Sequence, residues 1–150
     1  MLCAIIVKLV AYLANLEQTT LPNPMINTSR PKPHGIARLK SAFSYSIKGL
    51  QLAWQHEEAF RLEIYILLLG IPLAGLIGDN LTDYVLLIGS LLLLVIIELV
   101  NSAIEAICDK ISIANDELVG RSKAFGAAAV FVAIIGMLGT WAIILTKNWS

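Results

Sequence analysis

The chain has 150 residues, a length that fits one domain. It is 57% hydrophobic and only 15% charged, whereas a water-soluble domain is about a quarter charged, so the composition places it among membrane proteins. Eleven Lys and Arg against eleven Asp and Glu leave no net charge, which argues against a nucleic-acid partner held by phosphate neutralisation.

Residues 1–16 are apolar apart from Lys8, lack a basic leading segment and are short for a span, so they make a poor signal peptide. Residues 17–35 are polar and hold Pro22, Pro24, Pro31 and Pro33, as a linker does. Met25 inside this arm is a candidate natural start, and residues 1–34 read as an extension ahead of a membrane domain over 35–150. Two cysteines, Cys3 and Cys108, lie far apart and exclude a disulfide framework or a CxxC zinc site within one chain.

An amphipathic helix is predicted over 36–58. Ile36, Leu39, Phe43, Ile47, Leu50 and Trp54 recur at steps of three and four, with Arg38, Lys40, Ser44 and Lys48 between them. A basic amphipathic helix beside a span lies in the membrane interface, and packing on the spans is the alternative. Three spans follow, over 62–78, 84–107 and 124–146, joined by a tight polar turn at 79–83 and a polar loop at 110–123. The first holds Pro72, which a membrane helix tolerates as a kink. The third has no charge, and Ala129, Ala133, Gly136 and Gly139 give it a small-residue face suited to close helix approach and self-association.

Lys and Arg counts orient the chain. Arg30, Lys32, Arg38, Lys40, Lys48 and Arg61 precede the first span, and Lys110, Arg121 and Lys123 lie between the second and third. The first turn has none and the tail only Lys147. The amino terminus and second loop are therefore placed in the cytoplasm, with the first turn and the carboxyl terminus outside. Tyr84, Trp141 and Trp149 fall near the outer interface as anchors.

The second span ends in ELVNSAIEAICD, residues 98–109. At about 100° per residue, Asn101 lies about 60° to one side of Glu98, while Glu105 and Asp109 lie about 20° to either side, so all four share one stripe. The rise of about 1.5 Å per residue sets Glu98 roughly 10 Å deeper than Glu105 and Asp109 roughly 6 Å above it. A mid-span carboxylate costs about 2.5 kcal/mol or more, so a stripe of acids calls for compensation. Pairing with Arg61, Lys110 or Arg121 would make it a glue between helices; a divalent cation or a proton path would make it a site. Hard oxygen ligands favour Mg²⁺, which takes one or two carboxylates plus substrate phosphates. Glu57 and Glu58 stand at the start of the first span, at a depth similar to Glu105, and a carboxylate pair from two helices could hold metal; solvated interfacial charge is the even alternative. Glu63 is equally ambiguous. There is no Walker A pattern, no GxGxxG and no HExxH, and His34 and His56 are isolated. Arg38, Lys40, Arg121 and Lys123 are candidate phosphate contacts or simple positive-inside anchors.

ELVNSAIEAICDKI at 98–111 resembles the E-x-x-N-S-A-I-E-x-x-x-D signature of the prokaryotic diacylglycerol kinase family. AFSYSIKGLQLAWQHEEAFRLE at 42–63 resembles its surface-helix block, and ELVGRSKAFGAAAV at 117–130 the start of its third span. The resemblance covers about residues 35–145, with three blocks in order. It implies an all-α membrane protein of three transmembrane helices with an N-terminal amphipathic surface helix, assembled as a homotrimer with shared sites. It implies ATP-dependent phosphorylation of diacylglycerol to phosphatidic acid, with Mg²⁺ as cofactor. Glu98 matches the general base and Asn101 the essential asparagine beside the reacting hydroxyl. Glu57 and Glu105 match metal and nucleotide ligands. Arg38, Tyr45 and Lys123, with Ala114, Asn115 and Asp116, match nucleotide contacts. Ala124 departs from the family's usual aspartate, and Ser41 replaces a frequent lysine. Undecaprenol is the rival lipid. A proton- or ion-conducting oligomer and a non-catalytic assembly protein are rivals of other classes.

Overall fold

The computed structural model describes residues 35–111 and 116–149. They form four helices, and no strand is present among the described residues: α1 (Ile36–His56), α2 (Glu58–Ile77), α3 (Leu81–Ile111) and α4 (Glu117–Trp149). The readings of residues 1–34, including the start at Met25, lie outside the described residues, as do Ala114 and Asn115. The chain divides into two units, α1 in one and α2, α3 and α4 in the other.

Gly35, at φ +60°, takes the left-handed conformation that favours glycine, and its carbonyl accepts from the amides of Arg38 and Leu39 to open α1. The predicted apolar row winds along α1, with Ile36, Leu39 and Phe43 exposed. The helix ends at His56, two residues before the expected boundary. Glu57 breaks it with extended backbone (φ −107°, ψ 111°) and becomes the residue ahead of α2.

In the second unit, α2, α3 and α4 are each long and apolar enough to cross a membrane. All three are longer than the spans read from hydropathy: α2 gains residues at its start only, whereas α3 and α4 run past both ends of the apolar stretch. At the α2–α3 turn, the amide of Asp83 donates to Asn80 Oδ1 at 3.0 Å and Asn80 Nδ2 returns a bond to Asp83 Oδ2 at 3.1 Å. This reciprocal cap starts α3 at Leu81, so Asp83 belongs to the helix and not to the expected turn. At the other junction α3 runs on to Ile111. Asp116 Oδ1 accepts from the amide of Leu118 at 2.8 Å, starting α4 at Glu117, seven residues before the expected span.

α3 is the central helix, packing along both α2 and α4, which touch one another little. Its inward face runs Asp83, Leu87, Leu91, Leu94, Val95, Glu98, Asn101 and Cys108. Gly70 of α2 lies against the Leu91 side chain, with Trp141 of α4 also close to it. Ala74, Leu87 and Ile144 form a buried cluster joined by Ile77, Tyr84, Ile88 and Trp141. Of the three expected anchors, Tyr84 and Trp141 are thus partly packed into this cluster, while Trp149 is exposed. Ala129, Ala133 and Gly136 line an apolar groove between α4 and Ser90, Leu93 and Ile97 of α3.

Below this cluster a polar group ties three helix ends together. Asp83, buried, accepts from Lys147 Nζ at 3.0 and 3.1 Å and from Asn148 Nδ2 at 3.1 Å. Asn148 Nδ2 also donates to the Ile77 carbonyl at 2.9 Å, near the end of α2. These contacts set one common level for α2, α3 and α4.

Candidate functional site

Counting from that level at about 1.5 Å per residue gives every acid a height. Glu98, 15 residues along α3 from Asp83, stands about 22 Å up, and Glu63, 14 residues back along α2 from Ile77, about 21 Å. Glu105 stands about 33 Å up and Glu57 about 30 Å, against a hydrocarbon thickness of about 30 Å. Asp109 reaches about 39 Å. The acids therefore form two tiers: Glu63 and Glu98 within apolar depth, Glu57 and Glu105 at its edge.

Burial follows the tiers. Glu98 is 5% exposed, Glu63 8% and Asn101 9%. Glu57 and Glu105 are half-buried and Asp109 is exposed. Glu98 feels the like charges of Glu105, Glu57 and Glu63. The stripe predicted on α3 is therefore present, and it continues the leucine face that packs against α2 and α4. That is why Glu98 and Asn101 point into the bundle and not toward lipid.

Within the stripe, Asn101 Nδ2 donates to Glu105 Oε1 at 3.0 Å. Asn101 Oδ1 is buried without a partner, facing Gly126 of α4. Glu63 Oε2 is also buried and unpartnered. At the top, Lys123 of α4 is ion-paired with Asp109 and close enough to Glu105 to feel its charge. The sequence offers Arg61, Lys110 or Arg121 as cationic partners of the stripe; Lys123 is the one that pairs with Asp109. Among the described residues, no ion pair involves Glu98.

Glu63, ambiguous in the sequence, is fixed by the structure as a buried acid of the lower tier. The signal that could have found it is spacing: Phe60, Glu63, Gly70 and Ala74 are the buried positions of α2 and fall on one helical face. Asp83 is a further buried acid on the α3 stripe. Hydropathy assigns it to the turn because an apolar window cannot see a cap.

Arg38 and Tyr45 are exposed positions of α1, in the other unit. Asp116 caps α4. Among the described residues, no group of three or more His, Cys, Asp or Glu could hold a metal ion. The half-buried carboxylates of the upper tier are Glu57 and Glu105, both near enough to Glu98 for their charge to act on it. Two carboxylates fit a Mg²⁺ that shares its coordination with substrate phosphates, and they do not make a closed all-protein cage.

A family model described as prokaryotic diacylglycerol kinase matches residues 44–145. A diacylglycerol kinase of Escherichia coli (strain K12) is 45% identical over 116 residues, covering 77% of this chain and 95% of the relative. One from Haemophilus influenzae is 38% identical over 114 residues, covering 76% and 97%. One from Pseudomonas aeruginosa is 39% identical over 111 residues, covering 74% and 90%.

Proposed function

The chain belongs to the prokaryotic diacylglycerol kinase family, and on that premise we propose that it transfers the γ-phosphoryl group of Mg-ATP to diacylglycerol, giving phosphatidic acid and ADP at the cytoplasmic membrane face. One observation supports this reading above the others. Glu98, which has no ion-pair partner among the described residues, is held at apolar depth below Glu57 and Glu105, whose like charges it feels.

That two-tier order suits a reaction between an aqueous donor and a lipid acceptor. Phosphoryl transfer needs positioning and charge neutralisation more than covalent help. Glu57 and Glu105 would hold Mg²⁺, which when bound neutralises the phosphate oxygens. Glu98 accepts the proton of the lipid hydroxyl as its oxygen bonds to the γ-phosphorus and the bond to the ADP oxygen breaks. Asn101, between the tiers, fixes Glu105 through its amide donor and lies beside the reacting hydroxyl. The height of Glu98 lets the acyl chains stay in the bilayer. Arg38, Tyr45, Lys123 and the segment Ala114, Asn115 and Asp116 contact the nucleotide in this reading. The domain over 35–150 acts as a homotrimer of the inner membrane, with α1 in the interface and the amino terminus cytoplasmic.

The test is transfer of labelled phosphate from ATP in mixed micelles, with diacylglycerol and undecaprenol offered separately. The native chain labels diacylglycerol in preference, and Glu98→Gln labels neither. Preferential labelling of undecaprenol would change the substrate, and retained transfer by folded Glu98→Gln would remove Glu98 as the base. ATP consumption without lipid product, or proton flux in liposomes, would favour the conducting oligomer.

A further inference from the structure

Asn101 has one amide and two demanding neighbours. Its Nδ2 donates to Glu105 Oε1 at 3.0 Å. Its Oδ1 is turned the other way, buried and unpartnered, toward the backbone of Gly126 on α4. The amide cannot be reversed, because Oδ1 would then face the carboxylate of Glu105. The space that admits Oδ1 exists only because residue 126 has no side chain. A Cβ at that position would overlap Asn101 Oδ1, stand 3.4 Å from Asn101 Cγ and approach the α3 backbone, with Asn101 Cα at 3.9 Å. Asn101 is 9% exposed and Gly126 is buried, so the amide has little room to swing aside.

The glycine is costly where it stands, since glycine is a poor helix former in a helix interior. At Gly120, Gly136 and Gly139 of the same helix, an added Cβ would meet nothing within 4 Å. Among the glycines of α4, Gly126 is therefore the one whose lack of a side chain is required by a neighbour, and that neighbour belongs to the stripe.

We infer that Gly126 is a positioning residue: by leaving room for Asn101 Oδ1, it aims Asn101 Nδ2 at Glu105 and so presets the carboxylate that faces the cation of the nucleotide. The inference rests on the kinase reading for its consequence, but its geometry stands apart from it. Gly126→Ala displaces the amide from Glu105 and frees that carboxylate to rotate. The change acts through Asn101, so it adds nothing once the amide is gone.

Two measurements test this. The first is the side-chain ¹⁵N amide resonance of Asn101 in asparagine-labelled full-length chain in micelles, without metal or nucleotide, identified by its loss in Asn101→Ala. In Gly126→Ala the resonance moves in the direction seen when Glu105→Ala deletes the acceptor, while Gly136→Ala leaves it in place. A resonance unmoved in Gly126→Ala overturns the inference, whatever the enzyme does. The second is the Mg²⁺ concentration giving half-maximal phosphate transfer. It rises several-fold in Gly126→Ala, whereas Gly136→Ala matches the native chain. A fold defect alone would lower the maximal rate and leave that concentration unchanged, and this result too overturns the inference. A native chain that labels no lipid would defeat the kinase reading, and the resonance would still decide the role of Gly126.

Discussion

At Glu98, charge serves the proposed chemistry and opposes the fold. The carboxylate is 5% exposed and surrounded by the like charges of Glu105, Glu57 and Glu63. Such a group costs free energy in its ionised form, and no ion pair among the described residues offsets it. Glu98→Gln keeps the shape and removes the repulsion. It should lower phosphate transfer by about 10²-fold or more, the usual scale for losing a general base, while raising the thermal unfolding midpoint in micelles. A midpoint that falls would mean that Glu98 is held by favourable contacts and is structural. Glu63→Gln should also raise the midpoint, since its Oε2 is buried and unpartnered beside the same charge. The sequence stripe makes Glu98, Asn101 and Glu105 visible, because three residues on one helix need only a periodicity. Glu63 is legible in part, because its spacing from Phe60, Gly70 and Ala74 puts it on one face of α2, whereas Gly126 is not. The importance of Gly126 comes from facing α3 across a helix interface, and a one-helix projection holds no such information.

The helices meet through close contacts at a few small residues. Gly70 of α2 touches Leu91 of α3, and an added Cβ would also stand 3.5 Å from Trp141 of α4. Gly70→Val should destabilise the bundle by about 1–3 kcal/mol through overpacking, read as loss of the unfolding midpoint with kinetic constants of the surviving folded fraction unchanged. Gly75→Ala, with open space at its Cβ, is the matched control. The ends of the helices obey a different logic. Asn80 with Asp83, and Asp116 with Leu118, are caps whose residue types are visible in the sequence as N-x-x-D and as an aspartate at a helix start. Hydropathy windows pass over them, which is why apolar runs alone give spans that are too short. Asp83 is the keystone of the far end, since Lys147 and Asn148 of α4 and Asn80 all donate to it. Asp83→Ala should lower the unfolding midpoint more than Lys147→Ala does. The lysine side chain is 55% exposed and can return to water, whereas the alanine at position 83 strands donors on two elements. Equal effects would show that only the ion pair matters. Neither change should alter the metal dependence of transfer, because both lie about 20 Å or more from the upper acids.

The polarity of the whole molecule follows from where these two ends sit. α3 has 31 residues and α4 has 33, about 46 and 50 Å of helix against about 30 Å of hydrocarbon. The surplus is not shared evenly between the two ends. The Asp83–Lys147 knot lies within three residues of the start of α3 and of the end of α4, so most of the excess projects at the opposite end, with Glu105, Asp109 and Lys123. That projecting end also carries Lys110 and Arg121, whereas among the described residues Lys147 is the sole cation at the knot. Lys and Arg favour the cytoplasmic side, and ATP is found there, so charge bias and proposed chemistry require the same orientation for independent reasons. A carboxyl-terminal alkaline phosphatase fusion should therefore be active in a bacterial host and a green fluorescent protein fusion at the same point dark. Fusions placed after Lys110 should behave oppositely. Fluorescence at the carboxyl terminus would turn the acids to the outer face, away from the nucleotide, and the kinase mechanism could not operate in that membrane.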